Sequence, residues 1–287
     1  MENIKTPEVI DIRQTQEYAN YLKKEGWKVA RIENTNYFIK KLPLIGSILK
    51  IQRPEEINFK TIKKLCQKYR VFQVIVEPIS TTTDGTIKHN LFISHGYKLS
   101  KSPYLPSKTL QIDLATPLKF DKETRRCIRI GDRVKIKKCS TPSDLIKFHN
   151  AWRKSVKFTR FAPSLESLIN LQSAFSIHKP TILTSHNVSS SIIGGAIFTR
   201  SLHDCAYYWQ GFTNKEGRSS LSQYSLVYQG LLWAKKVGCK VFDFEGIYDE
   251  RFPNKSWLGF THFKKSFGGK EVNFPGCYTK WIFPRFT

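Results

Sequence analysis

Two apolar runs, each ending in an acid and each placed behind a helical stretch, constrain this chain more than any other feature. VFQVIVEP (71–78) is a continuous apolar run, the pattern of a strand buried on both faces, and KVFDFEG (240–246) again reads as an apolar strand ending in an acid. FKTIKKLCQKY (59–69) precedes the first, with Ile62, Leu65 and Cys66 at helical spacing. A longer helical stretch over 219–238, stopped by Gly238, precedes the second. Strand-like segments come before each helix. In the first half they are WKVARIE (27–33) and GSILKIQR (46–53), behind an opening helix EYANYLKKEG (17–26). In the second half they are TILTS (181–185), SIIGGAIFTR (191–200) and CAYYWQGF (205–212), with polar turns that predict an antiparallel meander. Thr141 in TPSD (141–144) reads as the N-cap of another helix. A helix and a strand are expected over 90–112, where LQIDL ends the first lobe.

Both halves thus read as strand–strand–helix–strand, a weak internal duplication. That order is the order of the acyl-CoA N-acetyltransferase (GNAT) fold, here written twice. The expected class is α/β (α+β): two tandem GNAT-like lobes, each a mixed, largely antiparallel sheet flanked by helices, with no coiled-coil arm. The expected division is 1–108 and 109–287, the last strands packing back on the first lobe.

Charge narrows the partners more than the fold. Lys and Arg number 47 against 23 acids, a formal charge of +24. Such a balance fits either a lysine-rich surface or a polyanionic partner: nucleic acid, an anionic membrane face, or a nucleotide-linked substrate. The cysteines (Cys66, Cys127, Cys139, Cys205, Cys239 and Cys277) are scattered without a C-x-x-C pair, so neither a metal site nor a disulfide framework is expected. The opening residues carry no apolar signal region, and no apolar run approaches the ~20 residues of a membrane span. A cytoplasmic monomer able to sit at the inner face of the membrane is the expectation.

Familiar catalytic signatures are missing: there is no P-loop, no G-x-S-x-G and no H-E-x-x-H. NKEGRSS (214–220), the turn before the long helix, holds only Gly217, a poor cradle for the pyrophosphate of coenzyme A. The strongest local signal is NKSWLGFTHFKKSFGGKEVNFPG (254–276), in which Lys264 and Lys265 sit between Phe263 and Phe267. A lysine fixed among aromatics presents a held positive charge to an oxyanion or a phosphate. Two solvated lysines on a short helix are the plainer reading of the same pattern.

This segment, W-x-G-F-x-x-F-K-x-x-F-G-G, together with DFEGI (243–247), resembles the closing signature of the FemABX peptidyltransferases. The likeness runs over nearly the whole chain, through TQEYANYLKKEGW (15–27), PLIGSILKIQRP (43–54), VEP (76–78), PSKTLQIDL (106–114) and KETRRCIRIG (122–131). The resemblance implies two GNAT-like lobes. It also implies transfer of an aminoacyl group from charged tRNA to the side-chain amine of the third stem-peptide residue of a UDP-linked or lipid-linked muropeptide. It implies no cofactor, the aminoacyl-tRNA being a co-substrate. By the same resemblance Lys24 and Arg160 grip the acceptor's diphosphate, and Lys264 binds the tRNA end and stabilises the transition state. Tyr224 and Phe263 line the substrate channel. The chain departs from the family pattern where Arg53 is followed directly by Pro54, and where Tyr18 replaces an aromatic Trp.

The aminoacyl ester is already activated, so no enzyme nucleophile is required. Glu77, Asp243 and Glu245 at strand ends are candidates for the base that takes the amine proton, or structural acids. Two other readings stay open: an N-acyltransferase using acyl-CoA, and a non-catalytic basic RNA-binding protein presenting Tyr207, Tyr208 and Trp209 as stacking aromatics.

Overall fold

The structure is a computed structural model that describes residues 11–79, 85–156, 161–201 and 205–282. The chain divides into two compact units, Met1–Ser107 with Ser201–Asp204 and Asn273–Thr287, and Lys108–Arg200 with Cys205–Val272. In chain order the first unit supplies α1 (Gln16–Lys24), β1 (Lys28–Ile32), β2 (Thr35–Leu42), β3 (Gly46–Gln52), α2 (Phe59–Tyr69), β4 (Val71–Glu77), α3 (Gly85–Ser94) and β5 (Lys98–Leu99). Then come β6 (Lys108–Asp113), α4 (Lys122–Gly131), β7 (Lys135–Lys138), α5 (Pro142–Ser155), α6 (Leu165–Ala174), β8 (Thr181–His186), β9 (Ile192–Arg200) and β10 (Cys205–Thr213). The chain continues with α7 (Lys215–Ser219), α8 (Ser222–Lys236), β11 (Val241–Asp243), α9 (Leu258–Lys265), β12 (Lys270–Asn273) and β13 (Tyr278–Trp281).

The first sheet has the order β1-β2-β3-β4-β13-β5. β1, β2 and β3 are antiparallel neighbours, and β4 runs parallel to β3. The sequence reading passed over β2. Its hairpin turn is made by Glu33 and Asn34, both at positive φ (49° and 62°), so no glycine announces it. Phe38, Leu49, Ile51, Val74 and Phe92 are fully buried in this unit. Phe92 stacks on Tyr278 with ring centroids 4.1 Å apart, which fixes β13 against α3.

The second sheet has the order β12-β6-β11-β10-β9-β8-β7. The expected meander is present: β7, β8, β9 and β10 pair antiparallel in succession. β11 then lies parallel to β10, as β4 does to β3. LQIDL does not close the first sheet; β6 pairs antiparallel with β11 in the second. A strand's apolar alternation says which face is buried but not which sheet it joins. Thr141 does cap α5, in a reciprocal capping box with Asp144. The helix expected over 219–238 begins at Ser222, because Leu221 adopts a left-handed backbone (φ 54°) and separates it from short α7. α8 lies tightly on β9: a Cβ on Gly230 would stand 2.3 Å from the Phe198 ring. Phe198, Phe242, Phe244 and Phe267 are fully buried there, each contributing roughly 1.5–3 kcal/mol.

Candidate functional site

The parallel pairing of β10 and β11 runs from Cys205↔Val241 to Tyr207↔Asp243 and stops there, while β10 continues to Thr213. A bulge between Tyr208 and Gln210 bends β10 at this point. The two strands therefore part at the end of β11. The chain leaving β11 makes a tight turn, with Glu245 at φ 58° and Gly246 at φ 119°. Asp243 holds that turn. Its carboxylate accepts hydrogen bonds from the Thr109 hydroxyl, from Gln111 Nε2 at 2.8 Å and from the Glu245 backbone N–H at 2.7 Å. The Thr109 hydroxyl accepts in turn from Gly246 N–H at 3.1 Å.

α9 brings Lys264 onto the same turn. The Tyr248 N–H donates to Thr261 Oγ1 at 2.7 Å, tying the helix to the segment before it. Lys264 is 8% exposed. Its Nζ donates to the carbonyls of Phe244 at 2.7 Å and Gly246 at 2.6 Å. It lies 5.0 Å from the Phe260 ring centre and 5.7 Å from that of Tyr208. Burial lowers its pKa to about 8, against the opposing pull of Glu245 and Asp243. Below about pH 8, where it keeps its proton, an ammonium with two of its three donors committed to carbonyls is a preorganised positive group.

Its neighbour differs in every respect. Lys265 is exposed and forms an ion pair with Glu271. Adjacent side chains on a helix point about 100° apart, so only one of the two can reach the turn.

Phe263 and Tyr224 are also in this unit. Tyr224, in the first turn of α8, meets Phe263 edge-on at 4.9 Å and stacks on Phe267 at 5.5 Å. Burial raises the Tyr224 hydroxyl pKa. Lys264, Phe263, Tyr224, Asp243 and Glu245 thus belong to one unit. Lys24 and Glu77 belong to the other. Lys24 is exposed at the end of α1. Glu77 is buried, with Oε1 accepting from the Leu105 N–H at 2.6 Å and Oε2 lacking a hydrogen-bond partner among the described residues. Arg160 lies outside the described residues. Among the described residues no cluster of His, Cys, Asp and Glu could hold a metal ion.

Sequence reading missed Thr109, Gln111 and Gln223. Thr109 and Gln111 alternate along β6 and so share a face, which a period-of-two reading of KTLQID exposes. Gln223 caps Tyr208, donating from Nε2 to its hydroxyl at 2.7 Å. Burial pushes the Tyr208 pKa up to about 12. Tyr207 is buried at 2% exposure, so it cannot serve as the stacking platform that the RNA-binding reading needed.

No protein-family model matches this sequence, and none of the curated proteins does. Solved structures do. The crystal structure of FemX is similar with a TM-score of 0.79 at 14% identity, over 97% of this chain and 94% of that one. This chain has the FemX fold. L-PGS from Bacillus licheniformis is similar at TM-score 0.61 and 13% identity, over 98% and 95% of the two chains. A tandem GNAT protein from the clavulanic acid biosynthesis pathway reaches 0.51 at 9% identity, over 97% and 98%. The expected class, α/β with two tandem GNAT-like lobes and no coiled-coil arm, is the one observed.

Proposed function

We propose that this protein is an aminoacyltransferase that moves an amino acid from aminoacyl-tRNA to the stem-peptide amine of a UDP-linked or lipid-linked peptidoglycan precursor. The observation that carries the reading is Lys264: a buried ammonium, pinned on two backbone carbonyls beside the point where β10 and β11 part. The fold shared with FemX supports it.

In this mechanism the acceptor amine attacks the carbonyl carbon of the aminoacyl ester. The C–N bond forms and the carbonyl electron pair moves to oxygen. Collapse of the tetrahedral species breaks the bond to the tRNA ribose oxygen, which leaves with the proton released by the amine. The remaining N–H of Lys264 is the donor that takes the developing oxyanion. Asp243 is committed to the turn through its donors, so it acts as a positioning residue. Glu77 holds Leu105 in the other unit. Glu245, whose charge acts on Lys264, is the carboxylate assigned to proton transfer. Lys24 is assigned to the acceptor diphosphate, where an exposed cation can approach an anion without a desolvation penalty.

The acyl-CoA reading is disfavoured by Gly217. Its N–H is taken by Asn214 Oδ1 at 2.8 Å, and a Cβ there would stand 2.3 Å from the Ile193 carbonyl. This glycine serves close packing of α7 on β9, not a pyrophosphate cradle. The deciding experiment incubates the protein with mixed charged tRNAs and muropeptide precursors, followed by mass spectrometry. The expected product is a muropeptide heavier by one or more aminoacyl residues. An unmodified muropeptide with every charged tRNA, alongside acyl transfer from an acyl-CoA, would overturn the reading.

A further inference from the structure

The first unit presents a feature that the transfer reading does not use. The β2–β3 hairpin ends in Pro43, Leu44 and Ile45. Leu44 is fully exposed and Ile45 is 64% exposed, two large aliphatic side chains at a projecting tip. Leu44 is held in a left-handed backbone (φ 67°), a conformation that a leucine adopts only at a cost. Burial cannot explain an aliphatic pair so placed.

The surroundings of the tip are cationic. On one side is a cavity of about 580 Å³ lined by Lys28, Lys41, Lys68 and Arg70. Lys28 and Lys68 lie 4.9 and 5.6 Å from the ring centre of Tyr69, which keeps both ammonium groups on that wall. On the other side is a groove of about 950 Å³, floored by apolar residues such as Phe59, Ile62 and Val74 and edged by Lys63 and Lys280. Ile45 lines this groove, and Gly46 and Arg70 line both cavities. No described carboxylate lines either one.

From this arrangement we infer that the β2–β3 tip docks on an anionic lipid bilayer, Leu44 and Ile45 entering the acyl boundary and the surrounding cations meeting lipid phosphates. Amphiphilic surfaces bind in this way, aliphatic burial adding to electrostatic attraction. A nucleic acid would satisfy the cations but has no use for two bare aliphatic side chains. Its single-strand recognition relies on aromatic stacking instead. The charge and the tip together therefore favour lipid. The inference is independent of the proposed transfer chemistry, since both residues belong to the first unit and Lys264 to the second.

The test is co-sedimentation of the full chain with vesicles of phosphatidylcholine alone and of phosphatidylcholine with phosphatidylglycerol. Binding is expected only to the second, and high salt should weaken it. The double variant Leu44→Ser/Ile45→Ser should bind at least about tenfold more weakly, the loss that goes with removing two aliphatic insertions. Both residues are exposed, so the variant should keep the melting temperature of the parent, and transfer to a soluble acceptor should be unchanged. The double variant Lys28→Glu/Lys41→Glu should also lose vesicle binding. Two results would overturn the inference: no binding of the parent to anionic vesicles, or full binding by Leu44→Ser/Ile45→Ser. A tRNA gel shift abolished by Lys28→Glu/Lys41→Glu, with vesicle binding absent, would assign the face to RNA instead.

Discussion

The two units carry the same central device in a closed and an open form. In the first, β3 and β4 pair in parallel up to Gln52↔Glu77, and the Arg53 N–H extends the ladder to the Glu77 carbonyl at 2.6 Å. In the second, β10 and β11 part at Tyr207↔Asp243. Each pair ends in a buried carboxylate, and in each unit backbone carbonyls hold a buried cation. In the closed form the cation is Arg53, which donates to the Pro78 and Pro106 carbonyls and lies 3.6 Å over the Phe274 ring. In the open form it is Lys264. A guanidinium is planar, stacks on an aromatic face and keeps its proton, which suits a clasp. An ammonium is a compact donor whose pKa moves readily with burial. The duplicated frame thus gives one copy a fastening and the other a group suited to chemistry.

Removing the cation of the open form is the sharpest way to break this comparison. Lys264→Ala should lower single-turnover transfer from charged tRNA by ~10²–10³-fold, the usual loss for a preorganised oxyanion donor. Retention of the parental rate would remove Lys264 from the mechanism.

The next effect is a pH dependence that only the open form should show. The folded-state pKa of Lys264, about 8, lies below the ordinary lysine value of 10.5. Between those values the unfolded chain binds the extra proton at this lysine, so the contribution of Lys264 to stability should rise with pH from about 8 to about 10.5. Burial of the charge costs the fold most below pH 8. The full gain is roughly 3 kcal/mol, one pKa unit being about 1.4 kcal/mol. Buried thiols and phenols with raised pKa values, such as Cys66 and Tyr208, titrate in both proteins and oppose this rise. Denaturant unfolding of the parent and of Lys264→Met across this range should therefore show the Lys264 slope in their difference.

A smaller loss is expected in the clasp. Arg53→Lys removes a forked donor and the stacked plane, and should cost about 1–2 kcal/mol in urea unfolding while leaving transfer intact. A transfer defect would mean that the first unit's cation is chemical too. Smallest of all, Lys265→Ala gives up only an exposed pair with Glu271, worth about 0–1 kcal/mol, and should leave the transfer rate unchanged.

The parts legible in sequence were those with a period. Apolar continuity and polar turns revealed β3, β4 and β8 to β11, and the N-cap of α5 was written in TPSD. The β1–β2 hairpin was hidden because Glu33 and Asn34 make its turn without glycine. The true start of α8 was hidden because a leucine, Leu221, takes the left-handed conformation there. At the site, the aromatic flanks mark the pair Lys264 and Lys265, and only the resemblance chooses Lys264 between them. Its partners were not legible: backbone carbonyls of Phe244 and Gly246 carry no side-chain signature, and only the fold brings them under α9. Asp243 is one of three strand-end acids the sequence offers as a base or a structural acid, and only the fold shows that Thr109, Gln111 and the Glu245 N–H already occupy it.

The place of β13 has a consequence for how the molecule is made. This strand sits between β4 and β5 in the first sheet, although roughly 200 residues of chain separate it from β4. On the ribosome, then, the unit that is synthesised first is completed last. Until residues 278–281 emerge, β4 offers the nascent chain an unpaired edge, the kind of surface chaperones cover and stray strands seize. A message cut short upstream of these residues would yield not half an enzyme but a first lobe missing an internal strand, a polypeptide marked for disposal by its own open sheet.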